Sequence, residues 1–161
     1  MQSGRHHMKN QDLPRALILI LLLAVFICGR GWAAEPEALQ TEMSMSGDMD
    51  VDVIKANIRD NIFTVVLVYR NNGEAKSKIY YNFDDVYFID DTEKKKYHVL
   101  KDSNNRWIGA PMNSAGDISK KIAAGGKQLV WFKFPAPPAT VESINLVIPG
   151  VLPFEELAIS R

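Results

Sequence analysis

The chain has 161 residues, of which 47% are hydrophobic and 24% are charged. That length suits one domain with a hydrophobic core and is too short for two. The formal net charge is zero, and the sequence shows no clustered excess of basic over acidic residues, which argues against a nucleic-acid partner.

An apolar segment lies near the N-terminus, where residues 16–29 read ALILILLLAVFICG. A helix that crosses a bilayer needs about 20 apolar residues, whereas about 7 to 15 are typical of the hydrophobic region of a secretory signal peptide. We therefore predict a signal helix in residues 1–33, cleaved after Ala33, and a periplasmic or secreted product. The alternative is that residues 16–29 stay in place as a membrane anchor.

Met8 and Cys28 indicate where the predicted signal helix begins and whether it carries a lipid. Met8 precedes Lys9, which fits the charged start of a signal peptide better than Met1 does, so the sequence leaves the start codon open. Cys28 is the single cysteine, and the bulky Ile27 before it disfavours lipid attachment. We expect Cys28 to leave with the signal helix, so that the exported chain has neither a disulfide nor a thiol nucleophile.

A polar segment, residues 34–49, follows the predicted cleavage site. It contains Gly and Pro and shows no sustained period, which predicts a flexible linker. Three methionines lie in it, Met43, Met45 and Met49. Thioethers bind soft ions such as Cu(I), so they form a candidate metal site, although methionines that lie in a linker or pack under the first strand are the commoner case.

From residue 51 onward, apolar residues recur with a period of two. VDVIKANIRDNIFTVVLVYRNNG predicts a hairpin that turns at residues 59–61, and VYFIDDTEKKKYHVL predicts another that turns within residues 90–96. In a later run, Ile144, Leu146 and Ile148 share one face, as in a half-buried antiparallel strand.

Short strands at this spacing are typical of an all-β domain. About seven of them, spaced near ten residues apart, predict an immunoglobulin-like antiparallel β-sandwich over residues 50–161. A small antiparallel barrel is the alternative.

Few residue patterns indicate a catalytic or metal-binding site. His98 is the only histidine outside the predicted signal helix and no cysteine accompanies it, so we expect no catalytic centre. Asp48, Asp50 and Asp52 alternate, but the glycine and glutamate that a calcium loop requires are missing. We interpret these carboxylates as a solvated strand edge, and we expect no cofactor.

Tryptophans are the candidates for ligand contact. Trp131 stands in the apolar run LVWFKF, and we predict that it lies in the core. Arg106 and Trp107 lie in the polar loop NNRWIGAPMN and are the candidate residues for binding a partner.

The C-terminal third contains the segments FPAPP, VIPG and PFEELAI, which follow the glycine-containing segment KKIAAGGKQLVWFKF. Over about residues 50–160 the chain resembles the telokin-like, immunoglobulin-like domains of bacterial exported proteins of unknown function. The resemblance implies an immunoglobulin-like fold and an envelope or secreted location, and it supplies no catalytic residue.

These patterns together predict a non-catalytic exported envelope protein that binds a protein or another envelope component. The alternative is a periplasmic carrier of a ligand or of copper, which would use the Met43, Met45 and Met49 segment or the Trp107 loop.

Overall fold

A computed structural model of the protein describes residues 36–161, so the signal helix predicted for residues 1–33 lies outside the described residues. The described chain is all-β, as predicted. No helix in this range is long and apolar enough to cross a membrane. The strands are β1 Gln40–Met43, β2 Met49–Arg59, β3 Ile62–Asn71, β4 Ser77–Asn82, β5 Tyr87–Asp90, β6 Lys95–His98, β7 Gly109–Ala110, β8 Asp117–Ile122, β9 Lys127–Pro135, β10 Ser143–Val147 and β11 Phe154–Ala158, with one 3-10 turn at Phe83–Asp85.

The strands form three antiparallel sheets. A five-stranded sheet has the order β1-β2-β3-β9-β7, a four-stranded sheet has the order β11-β10-β5-β6, and β4 pairs with β8. The described residues hold eleven strands where the sequence predicted about seven. The strands that were not predicted are β1, β7 and β8, which have four, two and six residues. Strands this short, and in β8 rich in charged residues, display no clear hydrophobic period.

The longest hairpin joins β2 and β3, as predicted. It turns through Asp60 and Asn61, whose φ angles of 51° and 59° are left-handed. Asp and Asn tolerate this region better than other residues with side chains, and two such residues form the tight turn that suits the twist of a hairpin. The register shifts once, between Val53 and Lys55, so Ile54 bulges from β2.

One aromatic core joins the two larger sheets. The Phe63 ring of β3 meets the Phe88 ring of β5 edge-to-face at 5.4 Å, and Phe134 of β9 lies 5.4 Å from the same Phe88 ring. All three side chains are fully buried. Ile144, Leu146 and Ile148 are also buried, as their shared face predicted. The five-stranded and four-stranded sheets therefore face each other across this core.

The segment predicted to be a linker, residues 34–49, contains a strand. Gln40–Met43 pairs with β2 from Gln40 opposite Val53 to Met43 opposite Asp50. The Leu152 N–H also donates to the Met43 carbonyl at 3.0 Å. The linker prediction is therefore wrong for β1, because the free edge of β2 offers it backbone partners that its own sequence does not reveal.

Asn71 attaches the two-stranded sheet to the five-stranded one. Its side-chain NH₂ group donates to the carbonyls of Ala75, Ile122 and Ala123 at 2.8, 2.9 and 3.0 Å, and its carbonyl oxygen accepts from Gly73 N–H at 2.9 Å. Asn71 is only 1% exposed. One buried amide therefore satisfies backbone groups next to both β4 and β8.

Candidate functional site

The three candidate methionines do not form one exposed arm. Met43 and Met45 are exposed, whereas Met49 begins β2 and is buried. Met45 and Met49 line a cavity of about 280 Å³, and Met43 is not part of its lining. Among residues 36–161, no group of three or more His, Cys, Asp or Glu side chains is placed to hold a metal ion. The structure thus brings two of the three thioethers together.

Tyrosines form much of the same cavity. The hydroxyls of Tyr69 and Tyr81 are hydrogen-bonded to each other at 3.0 Å, and both residues are buried. Burial raises the pKa of each phenol well above its usual value, so both stay protonated. Tyr80 is 58% exposed at the cavity, with the Lys78 ammonium 4.8 Å from its ring centre.

The candidate residues Arg106 and Trp107 are both engaged within the fold. The Arg106 guanidinium contacts one oxygen of Asp102 through Nε at 3.1 Å and through Nη2 at 3.0 Å. The backbone N–H of Arg106, which donates to Asp102, is the largest cause of a lowered pKa of that carboxyl. Trp107 is half-buried, its ring stacks on Phe83 at 6.3 Å, and the Lys101 ammonium lies 3.7 Å from the ring centre.

A cavity of about 330 Å³ borders Arg106 and Trp107, together with Met112 and Gly116. Ligands that stack on tryptophan need a free ring face. Since Phe83 and Lys101 already contact the Trp107 ring, this loop offers little free ring surface to such a ligand.

The alternating carboxylates are paired within the fold, so the prediction of a solvated edge is wrong for Asp52. Arg70 lies 2.8 Å from Asp52 and 3.8 Å from Asp50, and Asp52 is buried. Asp48 accepts hydrogen bonds from Ser46, Ser77 and Ser44, and the bond from Ser46 is the largest cause of its lowered pKa. Ser44 and Ser46 are local partners of Asp48, whereas Ser77 and Arg70 lie on other segments, and sequence spacing cannot show those two.

His98 is exposed at the end of β6. Its Nδ1 atom lies 3.2 Å from the Asp84 carbonyl oxygen, and its ring is 5.9 Å from the Tyr87 ring. Within residues 36–161, no serine or carboxylate side chain is hydrogen-bonded to His98.

The outer face of the five-stranded sheet contains the feature that the sequence interpretation missed. Trp131 was predicted to be a core residue, but it is only half-buried, while Val130 and Phe132 on either side of it are fully buried. Successive strand residues face opposite sides of a sheet. Lys133, two residues on, shares the side of Trp131, and this alternation was the signal that indicated an outward indole.

Trp131 belongs to an apolar strip, which we define as Val66, Val68, Leu129 and Trp131. Val66 pairs with Trp131, and Val68 pairs with Leu129. Leu129 is 49% exposed, and the other three side chains are half-buried. The Arg70–Asp52 ion pair lies next to the strip at one end, because Asp52 pairs with Val68. The strip is therefore an apolar surface with a charged border.

Comparison with known proteins gives one weak structural likeness. The chain is similar to the crystal structure of alpha-galactosidase I from Mortierella vinacea at 18% identity and a TM-score of 0.29, and the match covers 56% of this chain and 22% of that one. At that identity and TM-score the likeness carries no argument about activity. No protein-family model matches the chain, and no curated protein matches it.

Proposed function

We propose that this chain is a non-catalytic exported protein whose immunoglobulin-like domain binds a protein or another component of the cell envelope. The apolar strip on the outer face of the five-stranded sheet is the observation that carries this proposal. The strip would be the centre of the interface, and the charged residues around it would be the rim.

The composition of the strip supports a role in binding. Trp is strongly enriched among the residues that dominate binding energy, and such residues lie in the apolar centre of an interface with a polar border. Trp131 and Leu129 occupy alternate positions on β9, so both project from one rigid strand. A rigid surface loses little conformational entropy when a partner binds.

Export and the immunoglobulin-like fold are parts of the same proposal. The apolar run at residues 16–29 and the small residues before Ala34 support a cleaved signal peptide. Two antiparallel sheets that share one aromatic core support an immunoglobulin-like sandwich.

Capture of the partner from an envelope fraction tests the binding surface. The tagged full chain should retain a defined component, and the double variant Leu129→Ser/Trp131→Ser should retain at least about tenfold less of it, because central apolar residues each contribute about 2 kcal/mol or more. Quantitative mass spectrometry of the retained material measures the difference.

A second exposed pair serves as the matched control. Met45 and Tyr80 are 70% and 58% exposed and lie at the cavity formed partly by β4, away from the strip. The variant Met45→Ser/Tyr80→Ser should retain the component as the parent does. Equal retention by the parent and the Leu129→Ser/Trp131→Ser variant would show that the strip is not the binding surface.

A further inference from the structure

A basic cavity of about 270 Å³ lies on the same outer face of the five-stranded sheet, next to the apolar strip. Three cationic side chains, one carboxylate, one hydroxyl and one amide line it, and they belong to Lys55, Arg59, Lys133, Asp60, Thr64 and Asn57.

The strand register explains why the cations converge. Thr64 on β3 pairs with Lys133 on β9 and with Asn57 on β2. Lys55 and Arg59 lie two residues on either side of Asn57, so they project from the same face of β2. Neighbouring strands are about 4.8 Å apart, and residues on one face of a strand are about 7 Å apart. The three cations therefore surround Thr64.

These cations have no partner in the described part of the chain. No hydrogen bond, ion pair or ring contact there involves the side chains of Lys55, Arg59 or Lys133, and the Thr64 hydroxyl has no hydrogen-bond partner either. Asp60 at the rim is the one acidic residue of the lining, so the cavity has a net charge of +2. An uncompensated positive cavity attracts anions.

We propose that this cavity binds a phosphate group. A phosphate monoester carries a charge of about −1.5 to −2 at pH 7, which matches the net charge of the lining, whereas a single carboxylate would leave half of it unmatched. The Arg59 guanidinium supplies paired donors that fit phosphate oxygens, the two lysines supply point charges, and the Thr64 hydroxyl supplies a neutral donor.

The phosphate site extends the proposed function by naming the chemistry of the partner. It rests on that function only in assigning the phosphate to a component that also covers the Trp131 strip. Phosphorylated sugars and lipid headgroups both present this group, and they are separate arms of the test.

Isothermal titration calorimetry of the full chain with inorganic phosphate, at low ionic strength, tests the site. Binding should saturate at one phosphate per chain and weaken as salt is added. Lys133→Gln and Lys55→Gln should each weaken it by about fivefold, the effect of losing about 1 kcal/mol. Glucose 6-phosphate and vesicles that contain phosphatidic acid, titrated in the same way, show which source binds more tightly.

Two variants make the test specific. Asp60→Asn removes the opposing charge and should tighten phosphate binding, and Asn accepts the left-handed φ of 51° at this position. Lys120→Gln, an exposed lysine on β8 outside the cavity, should leave binding unchanged. No saturable binding, equal weakening by Lys120→Gln and Lys133→Gln, or no gain with Asp60→Asn would overturn the proposal.

The phosphate site and the proposed function can fail separately. Saturable phosphate binding by a chain whose capture of an envelope component is unaffected by Leu129→Ser/Trp131→Ser would retain the phosphate site and reject the strip. If capture depends on Trp131 but the chain does not bind phosphate, the strip is retained as the binding surface and the phosphate site is rejected.

Discussion

Replacing Phe132 by Ala should destabilise the domain by about 3 to 5 kcal/mol, whereas replacing the adjacent Trp131 by Ala should cost less, about 2 kcal/mol. The Phe132 ring is fully buried and lies 5.5 Å from the Phe83 ring, so its removal leaves a cavity in the core. The Trp131 indole is half-buried on the outer face of the sheet, so its removal opens no cavity in the core. Urea unfolding followed by far-UV circular dichroism measures both changes without relying on tryptophan fluorescence.

A third variant on the same strand is the control. Lys133 shares the outer face with Trp131, so Lys133→Ala should change the free energy of unfolding by less than about 0.5 kcal/mol. If Trp131→Ala proved as costly as Phe132→Ala, the indole would belong to the core and the apolar strip would lose its central residue.

The second large effect is expected at Asn71. Asn71→Ala should cost about 3 kcal/mol, because three backbone carbonyls lose their donor and Gly73 N–H loses its acceptor in a buried site. The loss should be greatest where β4 and β8 join the rest of the fold. Hydrogen exchange should therefore show reduced protection of the amides in Ser77–Asn82 and Asp117–Ile122, along with the lower stability.

The neighbouring asparagine provides a matched control. Asn72 is exposed, and its amide nitrogen donates only to Asp50, at 2.6 Å. Asn72→Ala should therefore cost less than about 1 kcal/mol. Equal costs at positions 71 and 72 would show that the buried amide does not attach the two-stranded sheet.

The features that could be predicted from the sequence are those encoded within one segment. Alternation from Val51 onward predicted the hairpin of β2 and β3, and the shared face of Ile144, Leu146 and Ile148 predicted their burial. β1 was not predicted because its four residues show no hydrophobic period. They form a strand only because they pair with the edge of β2.

The candidate surface could not be predicted in the same way, because it combines distant segments. Trp131 was assigned to the core from the apolar residues around it, although the alternation with Lys133 places both on the outer face. Lys55 and Lys133 are far apart in sequence, and β3 brings them to one cavity by pairing with both β2 and β9. The outward direction of Trp131 could have been predicted from the sequence, whereas prediction of the cavity requires the order of the strands in the sheet.

Site-specific photo-crosslinking tests most directly whether the outer face of the five-stranded sheet binds a partner. Trp131 would be replaced by the photoreactive aromatic residue p-benzoylphenylalanine, and cells that produce the protein would be irradiated. The same replacement at Tyr80, which is 58% exposed and outside the strip, is the comparison. We expect a discrete adduct from position 131 and none from position 80. An adduct at position 80 alone, equal adducts at both positions, or no adduct at position 131 would contradict binding through this face.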